Sequence, residues 1–147
     1  MRTNTRATAV IIKDHSILLI HRLNQGREYW VFPGGAVEEN EEITDAVIRE
    51  CEEEVSIQVQ NTKLLFSFVR QDDPNPRGGS REHFYFLITQ FSGTPEWKGD
   101  GPELASDDNE YTPKWVNLND IENLEKLYPE KGKEKLVNLI KTNKLNF

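Results

Sequence analysis

The apolar residues of this chain fall into short blocks that are separated by turn-forming residues. Blocks of about four to eight residues that are rich in β-branched and aromatic side chains are typical of β-strands. The predicted strands are Thr8–Ile12, Ile17–Arg22, Tyr29–Phe32, His83–Phe91 and Tyr111–Val116, with one or two more inside Ile57–Val69. The first two are separated only by the short turn Asp14-His15-Ser16, so we expect them to form a hairpin.

Two other segments repeat their apolar residues at the spacing of an α-helix. They are Glu42–Val55 and Lys133–Lys141, and Asn119-Asp120 could cap a short helix before the second. The apolar positions are Ile43, Ala46, Val47 and Cys51 in the first helix and Leu136, Val137 and Ile140 in the second. Hairpins combined with one central helix predict an α/β (α+β) fold, a mixed β-sheet sandwiched by helices. The length fits a single domain, residues 1–147.

Two long polar segments and one glycine-rich segment interrupt this pattern. Gln71–Ser80 and Ser92–Asn109 are predicted to be loops from their Pro, Gly and Asp content. Loops longer than about 12 residues often carry function in compact domains. Pro33-Gly34-Gly35 ends the third strand, because proline cannot donate to a ladder and glycine permits positive φ, so we expect the chain to turn there.

Composition and charge exclude several classes of protein. No apolar run approaches the roughly 18 residues that a membrane helix needs, and the N-terminal segment lacks the cleavage site of a signal peptide. Cys51 is the only cysteine, which excludes an internal disulfide and a cysteine-based zinc site and suits the cytoplasm. A net charge of −7 argues against general nucleic-acid binding. An acidic protein that handles phosphates would need a cation as mediator.

The first predicted helix carries acids on the side that also carries its apolar residues. Glu50, Glu53 and Glu54 are spaced i, i+3, i+4 and therefore share one face. Like charges so close to a core are unfavourable, and a divalent cation would relieve them. Ligands made of oxygen alone suit Mg²⁺, for which Mn²⁺ can substitute. The alternative is a solvated acidic helix face, because glutamate is a good helix former.

The residues from Gly35 to Ile57 resemble the Nudix box. That pattern is Gly, five residues, Glu, seven residues, Arg-Glu, an apolar residue, any residue, Glu-Glu, any residue, Gly and an apolar residue. The matching positions are Gly35, Glu41, Arg49, Glu50, Glu53 and Glu54, with Cys51 and Ile57 at the apolar positions. One position departs from the pattern, since Ser56 stands where the family has the glycine that ends the helix.

The resemblance implies roles for these residues. Glu50, Glu53 and Glu54 would bind Mg²⁺, and the carbonyl of Gly34 would join them. Arg49 would hold the glutamates by salt bridges, while Glu41 and Gly35 would be structural. Family members differ over the general base, which is either a box glutamate or an acid from a distant loop. The distant candidates here are Glu110 first, then Asp107, Asp108 and Glu103.

Residues outside the box supply candidates for substrate binding. Arg22 could reach phosphates from the sheet, and Tyr29 or Trp30 could stack on a base. Arg70, Arg77 and Arg81 bracket the first long loop and could together clamp a second phosphate or a ribose. The alternative for each arginine is a solvated surface position, and for each aromatic residue a place in the core.

The resemblance therefore implies an Mg²⁺-dependent hydrolase that cuts a diphosphate linkage in a nucleoside diphosphate derivative. The expected substrate is a small nucleotide, either a modified nucleoside triphosphate or a compound of the ADP-ribose type. Two alternatives stay open at this point: a Nudix-like module that senses a nucleotide without cutting it, and an acidic domain with a coincidental motif. The sequence also leaves open whether the protein is a monomer or a homodimer.

Overall fold

A mixed β-sheet forms the centre of the computed structural model, which describes residues 2–71, 79–98 and 109–145. Its main path runs β10-β3-β2-β1-β7-β6, with β4 paired to β1 and β9 paired to β2. β1 and β7 run parallel, as do β3 and β10, and the other pairs are antiparallel. The strands of this sheet are β1 (Arg2–Lys13), β2 (Ser16–Asn24), β3 (Arg27–Val31), β4 (Gly34–Glu38), β6 (Lys63–Arg70), β7 (Arg81–Ile88), β9 (Asn109–Asn117) and β10 (Leu127–Tyr128). A separate two-stranded antiparallel sheet is formed by β5 (Gln58–Val59) and β8 (Phe91–Ser92).

Two helices cover the two faces of this sheet. Helix α1 spans Ile43–Val55 and helix α2 spans Glu130–Lys141, with a short 3₁₀ turn at Leu118–Asp120 between them in sequence. Among the described residues, no helix is long and apolar enough to cross a membrane. The predicted α/β (α+β) sandwich is confirmed.

The central strand β1 explains why both faces need a cover. Successive side chains of a strand point to opposite faces. Ala9 and Ile11 pack with α1 residues such as Val47, whereas Val10 and Ile12 pack in a second cluster with Leu136 of α2. The near-continuous apolar run of β1 is therefore the sequence of a strand that is buried on both sides.

Several boundaries differ from those predicted. Helix α2 begins three residues before the predicted Lys133, and β10 was not predicted. Asn117, and not Asn119 or Asp120, caps the 3₁₀ turn, because its side chain accepts a hydrogen bond from the Asn119 N–H at 2.8 Å. The predicted loops at residues 71–80 and 92–109 lie mostly outside the described residues.

The Pro33-Gly34-Gly35 segment does more than turn the chain. Gly34 and Gly35 begin strand β4 and pair with Thr8 and Ala7 of β1. Gly34 has φ of 151°, and a Cβ there would lie 2.4 Å from the Ala7 carbonyl oxygen. The expected turn is therefore confined to Phe32 and Pro33, and glycine is needed because two strands approach closely at Gly34.

The end of α1 shows how the chain accommodates serine where the box pattern has glycine. Ser56 adopts the left-handed conformation, with φ of 63°. The Ile57 N–H donates to the Cys51 carbonyl at 3.2 Å, and the Ser56 hydroxyl donates to the Glu96 carbonyl at 3.1 Å. The position thus keeps the conformation that favours glycine, and the hydroxyl contributes a compensating hydrogen bond.

We predict that Gly132→Ala destabilises the protein although alanine is the better helix former. A Cβ at Gly132 would lie 2.1 Å from the hydroxyl of Tyr85, whose ring is fully buried and cannot move aside. Overpacking of this kind typically costs about 1–3 kcal/mol, more than the helix propensity that alanine gains. Denaturant unfolding measures the difference.

Tyr85→Phe provides the matched control for this prediction. The Tyr85 hydroxyl has no hydrogen-bond partner among the described residues, and burial raises its pKa. Removing it should cost little by itself and should rescue part of the loss in the double variant Gly132→Ala/Tyr85→Phe, because the ring carbon Cζ would still lie 2.6 Å from the added Cβ. Additive effects of the two substitutions would contradict the proposed clash.

Candidate functional site

Arg49 is the centre of the hydrogen-bond network on helix α1. Its Nε and Nη2 donate to the two carboxylate oxygens of Glu41 at 2.7 and 3.0 Å. Its Nη1 donates to Glu50 at 2.9 Å and to Glu53 at 3.1 Å, the latter through the expected i, i+4 spacing. Nη2 also donates to the Ala36 carbonyl of β4 at 3.1 Å. One guanidinium thus joins the helix, the preceding loop and the sheet.

These contacts shift the pKa values of Glu41 and Arg49. The hydrogen bond from Arg49 holds the pKa of the Glu41 carboxyl below its usual range, against the opposing effect of burial. The same bond raises the pKa of Arg49. The backbone N–H of Glu38 also donates to Glu41 at 3.0 Å, so Glu41 fastens the loop to the helix.

Glu50 lies against the backbone of Gly35. The residue is only 9% exposed, and a Cβ at position 35 would lie 2.3 Å from its carboxylate carbon. Gly35 therefore leaves room for the Glu50 carboxylate. A buried carboxylate is costly unless it is paired, and Arg49 provides that pairing.

Glu54 and Glu53 differ in their surroundings. The Gly34 N–H donates to Glu54 Oε1 at 3.2 Å, which brings this carboxylate to the start of β4. The Glu53 side chain is 60% exposed and contacts Arg49. In the part of the chain that the structure describes, no three Asp, Glu, His or Cys side chains lie close enough together to hold a metal ion.

Cys51, the residue between the box acids, is fully buried in the core beneath α1. Burial raises the pKa of its thiol to about 12, with smaller contributions from Glu54 and Glu50. The thiol therefore stays protonated and acts as an apolar residue, as the box pattern requires at this position.

Arg22 and Tyr29 meet on the α1 face of the sheet. Arg22 Nη1 donates to the Tyr29 hydroxyl at 3.0 Å, and Nη2 donates to Asn109 at 2.9 Å. The guanidinium lies 3.7 Å from the ring centroid of Tyr111, which stacks in turn on Trp97 at 4.5 Å. Arg22 is therefore a fixed, half-buried group and not a freely solvated arginine.

Trp30 lies on the opposite face from Arg22 and Tyr29. Its ring makes an edge contact with His21 at 4.7 Å, and it packs against the cluster beneath α2. Adjacent strand residues alternate between faces, so Tyr29 and Trp30 cannot serve the same side of the sheet. Trp30 therefore fits the alternative of a core residue better than the role of a ring that stacks on a base beside Arg22.

Glu110 is part of strand β9 and is paired with Leu23 of β2. Alternation along β9 places its side chain on the face opposite to that of Tyr111, which packs on the α1 side. This register does not direct Glu110 toward the box glutamates. Asp107, Asp108 and Glu103 lie outside the described residues.

Arg70 and Arg81 face each other across β6 and β7. They line a cavity of about 270 Å³ on the α2 face, together with Arg6 and His83. The third arginine of the predicted clamp, Arg77, lies outside the described residues. Sequence reasoning missed Arg6, because only the parallel pairing of β1 with β7 brings it beside His83.

The match to a family model decides the relationship of this chain to known proteins. Residues 3–136 match the model described as the NUDIX domain. The chain belongs to the Nudix family. The resemblance inferred from the box is thereby confirmed over most of the chain.

Known Nudix proteins support this assignment. An uncharacterized Nudix hydrolase of Bacillus subtilis is 31% identical over 117 residues, which are 78% of this chain and 66% of the relative. An ADP-ribose pyrophosphatase of Methanocaldococcus jannaschii is 30% identical over 78% of this chain and 62% of its own length. An 8-oxo-dGTP diphosphatase of Buchnera aphidicola is 30% identical over 82% of each chain.

Solved Nudix structures share the fold. The crystal structure of a MutT NUDIX hydrolase from Burkholderia pseudomallei aligns with a TM-score of 0.67 and 25% identity, over 90% of this chain and 95% of that one. The chain spans slightly less than two thirds of the length of the first two curated relatives.

We predict that Glu41→Gln lowers the free energy of unfolding of the Nudix domain at neutral pH. The variant should also lose less of its stability than the wild type as the pH falls. The pKa of the Glu41 carboxyl is lower in the folded protein than the ordinary value of a glutamate. Its contribution is therefore present above that value and is lost as the pH falls through it toward the folded pKa. The loss at pH 7 should be about 1–2 kcal/mol, the scale of a charge-assisted hydrogen bond.

Urea unfolding between pH 3 and pH 7, in steps of about half a unit, tests this prediction. The difference in the free energy of unfolding between wild type and variant must become smaller as the pH falls. Glu52→Gln is the matched control, since Glu52 is exposed on the same helix and its substitution removes the same charge. Equal pH profiles for the two variants would contradict the role assigned to Glu41.

Proposed function

We propose that this Nudix protein hydrolyses a diphosphate linkage in a nucleoside diphosphate derivative and requires Mg²⁺. The observation that carries the proposal is the buried Glu50 carboxylate, which Gly35 accommodates and Arg49 orients. A fold that needs only a stable helix has no reason to bury this charge beside two further carboxylates. The arrangement is better explained by a cation that these residues bind during the reaction.

The residues present fit a hard divalent cation. Glu50, Glu53, Glu54 and the Gly34 carbonyl offer only oxygen ligands, which suit Mg²⁺ and also Mn²⁺. When bound, the ion would neutralise diphosphate oxygens and lower the pKa of a bound water. Arg49 would orient Glu50 and Glu53, and Arg22 would supply positive charge to the phosphates from the sheet.

Two relatives indicate the class of substrate. Relatives at 30% identity are an ADP-ribose pyrophosphatase and an 8-oxo-dGTP diphosphatase. Both substrates are small nucleotides, so we propose a modified nucleoside triphosphate or a compound of the ADP-ribose type. Tyr29, in contact with Arg22, lies where an aromatic ring could pack beside the substrate.

We predict that Glu53→Gln and Glu54→Gln each lower kcat by at least about 10²-fold while the protein stays folded. The reason is that loss of a metal ligand removes several kcal/mol of charge stabilisation from the transition state. Hydrolysis of a panel of nucleoside diphosphate derivatives in Mg²⁺ measures the rates. Glu52→Gln is the control and should stay close to wild type.

Thermal unfolding with and without Mg²⁺ provides a readout besides activity. Mg²⁺ should raise the Tm of the wild type modestly by mass action, and this shift should shrink in both ligand variants but not in Glu52→Gln. Full activity in excess EDTA would refute the metal mechanism. A Mg²⁺-dependent Tm shift without hydrolysis of any panel member would instead favour a sensor.

The general base is proposed to be a carboxylate of the box, with Glu50 the first candidate. We expect Glu110→Gln to keep kcat within about 10-fold of wild type, because its side chain faces the other side of the sheet. A general base is worth about 10²–10⁴-fold. A loss of that size in Glu110→Gln, with an altered pH–rate profile, would identify Glu110 as the base after all.

A further inference from the structure

The cavity on the α2 face has an unusual charge for this protein. It has a volume of about 270 Å³, and Phe32, two residues before Gly34 in the chain, forms part of its lining. Three arginines and a histidine contribute to its lining, and among its described lining residues none is Asp or Glu. The whole chain carries a net charge of −7, so this concentration of positive charge is a local feature.

The strand register creates this concentration. Arg70 and Arg81 are direct cross-strand partners, an arrangement that is unfavourable for like charges without compensation. In the next row, Arg6 of β1 is the partner of His83 of β7. All four residues lie on the same face, because they share the alternation of Val10, Phe68 and Tyr85, which pack beneath α2.

Arg6 and His83 are held in place by contacts within the protein, whereas Arg70 is exposed. Arg6 donates to the Phe32 carbonyl and to the Thr8 hydroxyl, each at 3.3 Å. His83 is 2% exposed, and its ring stacks on Phe68 at 5.1 Å with an interplanar angle of 4°. Arg70 and Arg81 make further contacts within the protein as well. An adjoining cavity shares Arg70 and is lined in part by an acid, Glu130.

The position of the cavity relates it to the carboxylates of the box. Gly34, whose N–H contacts Glu54, pairs with Thr8, and Thr8 lines the cavity. A substrate whose diphosphate lies at the glutamates could therefore extend past Phe32 into the cationic cavity. The metal-binding acids would handle the diphosphate, whereas the arginines would contact the part of the substrate beyond it.

We propose that this cavity binds a phosphate or carboxylate group at the end of the substrate remote from the diphosphate that is cut. The inference rests on the proposed hydrolysis, and it adds that, among nucleoside diphosphate derivatives, those with a second anionic group are the better substrates. Arginine suits this task, because its planar set of N–H donors matches the oxygens of phosphate and carboxylate.

The first experiment titrates inorganic phosphate into protein freed of metal ions on a chelating resin and follows backbone amide signals by NMR. The box acids without metal repel phosphate, so saturable shifts at Arg6, Thr8 and His83 would report the cavity. Arg70→Gln and Arg81→Gln should each weaken this binding about 10-fold, the scale of one lost charge-assisted contact. Arg27→Gln is the control, since Arg27 is exposed at the far end of β3 and its substitution removes the same charge.

The second experiment asks whether the anion belongs to the substrate. It compares kcat/KM for a nucleoside 5′-diphosphate with and without a 3′-phosphate. The 3′-phosphate should raise kcat/KM about 10-fold or more in the wild type and in Arg27→Gln, and this preference should largely disappear in Arg70→Gln and Arg81→Gln.

The outcomes separate this proposal from the hydrolase proposal. Absence of saturable phosphate binding, or equal weakening by Arg27→Gln, would overturn the anion site whatever the activity. Phosphate binding with no preference for the phosphorylated substrate would overturn its assignment to the substrate. If the wild type hydrolyses no substrate at all, the proposed function is refuted, while the phosphate titration still reports whether the cavity binds an anion.

Discussion

The bridge made by Arg49 is the interaction on which the candidate site depends. A single guanidinium contacts Glu41 with two nitrogens, reaches Glu50 and Glu53, and donates to the Ala36 carbonyl of the sheet. Three carboxylates so close together would otherwise repel one another. Because the same cation also contacts β4, the orientation of helix α1 against the sheet and the positions of its acids are coupled.

Glycine at two adjacent positions is the complementary constraint. Gly34 lets β4 approach β1, and Gly35 leaves space for the Glu50 carboxylate. A side chain at either position would push the sheet and helix apart or expel the acid. The box therefore works as one unit, in which the backbone provides space and the arginine provides charge.

The sheet divides the chemistry of the molecule between its two faces. The acids of α1 lie on one face, with Arg22 fixed beside them at β2, whereas the cationic cavity lies on the other. The two regions meet where β3 passes through Phe32 and Pro33 into β4. This division gives a physical reason for treating the diphosphate and the remote end of the substrate as separately recognised groups.

The sequence by itself determined the family, the sandwich fold and the acids of α1. Helical periodicity and alternation are local, so Glu42–Val55 and most strands could be located within a few residues, and the i, i+4 spacing anticipated the contact of Arg49 with Glu53. The resemblance to the box also indicated that the helix ends at the Ser56 position, where the structure has a left-handed residue.

Only the tertiary structure decided which distant residues meet. Strand register sent Trp30 and Glu110 to the faces opposite to Tyr29 and Tyr111, and a shift of one residue would have reversed both. The pairing of β1 with β7 placed Arg6 beside His83, and that of β6 with β7 placed Arg70 beside Arg81. These partners are separated by many residues along the chain, so no periodicity in the sequence could reveal that the arginines share one cavity.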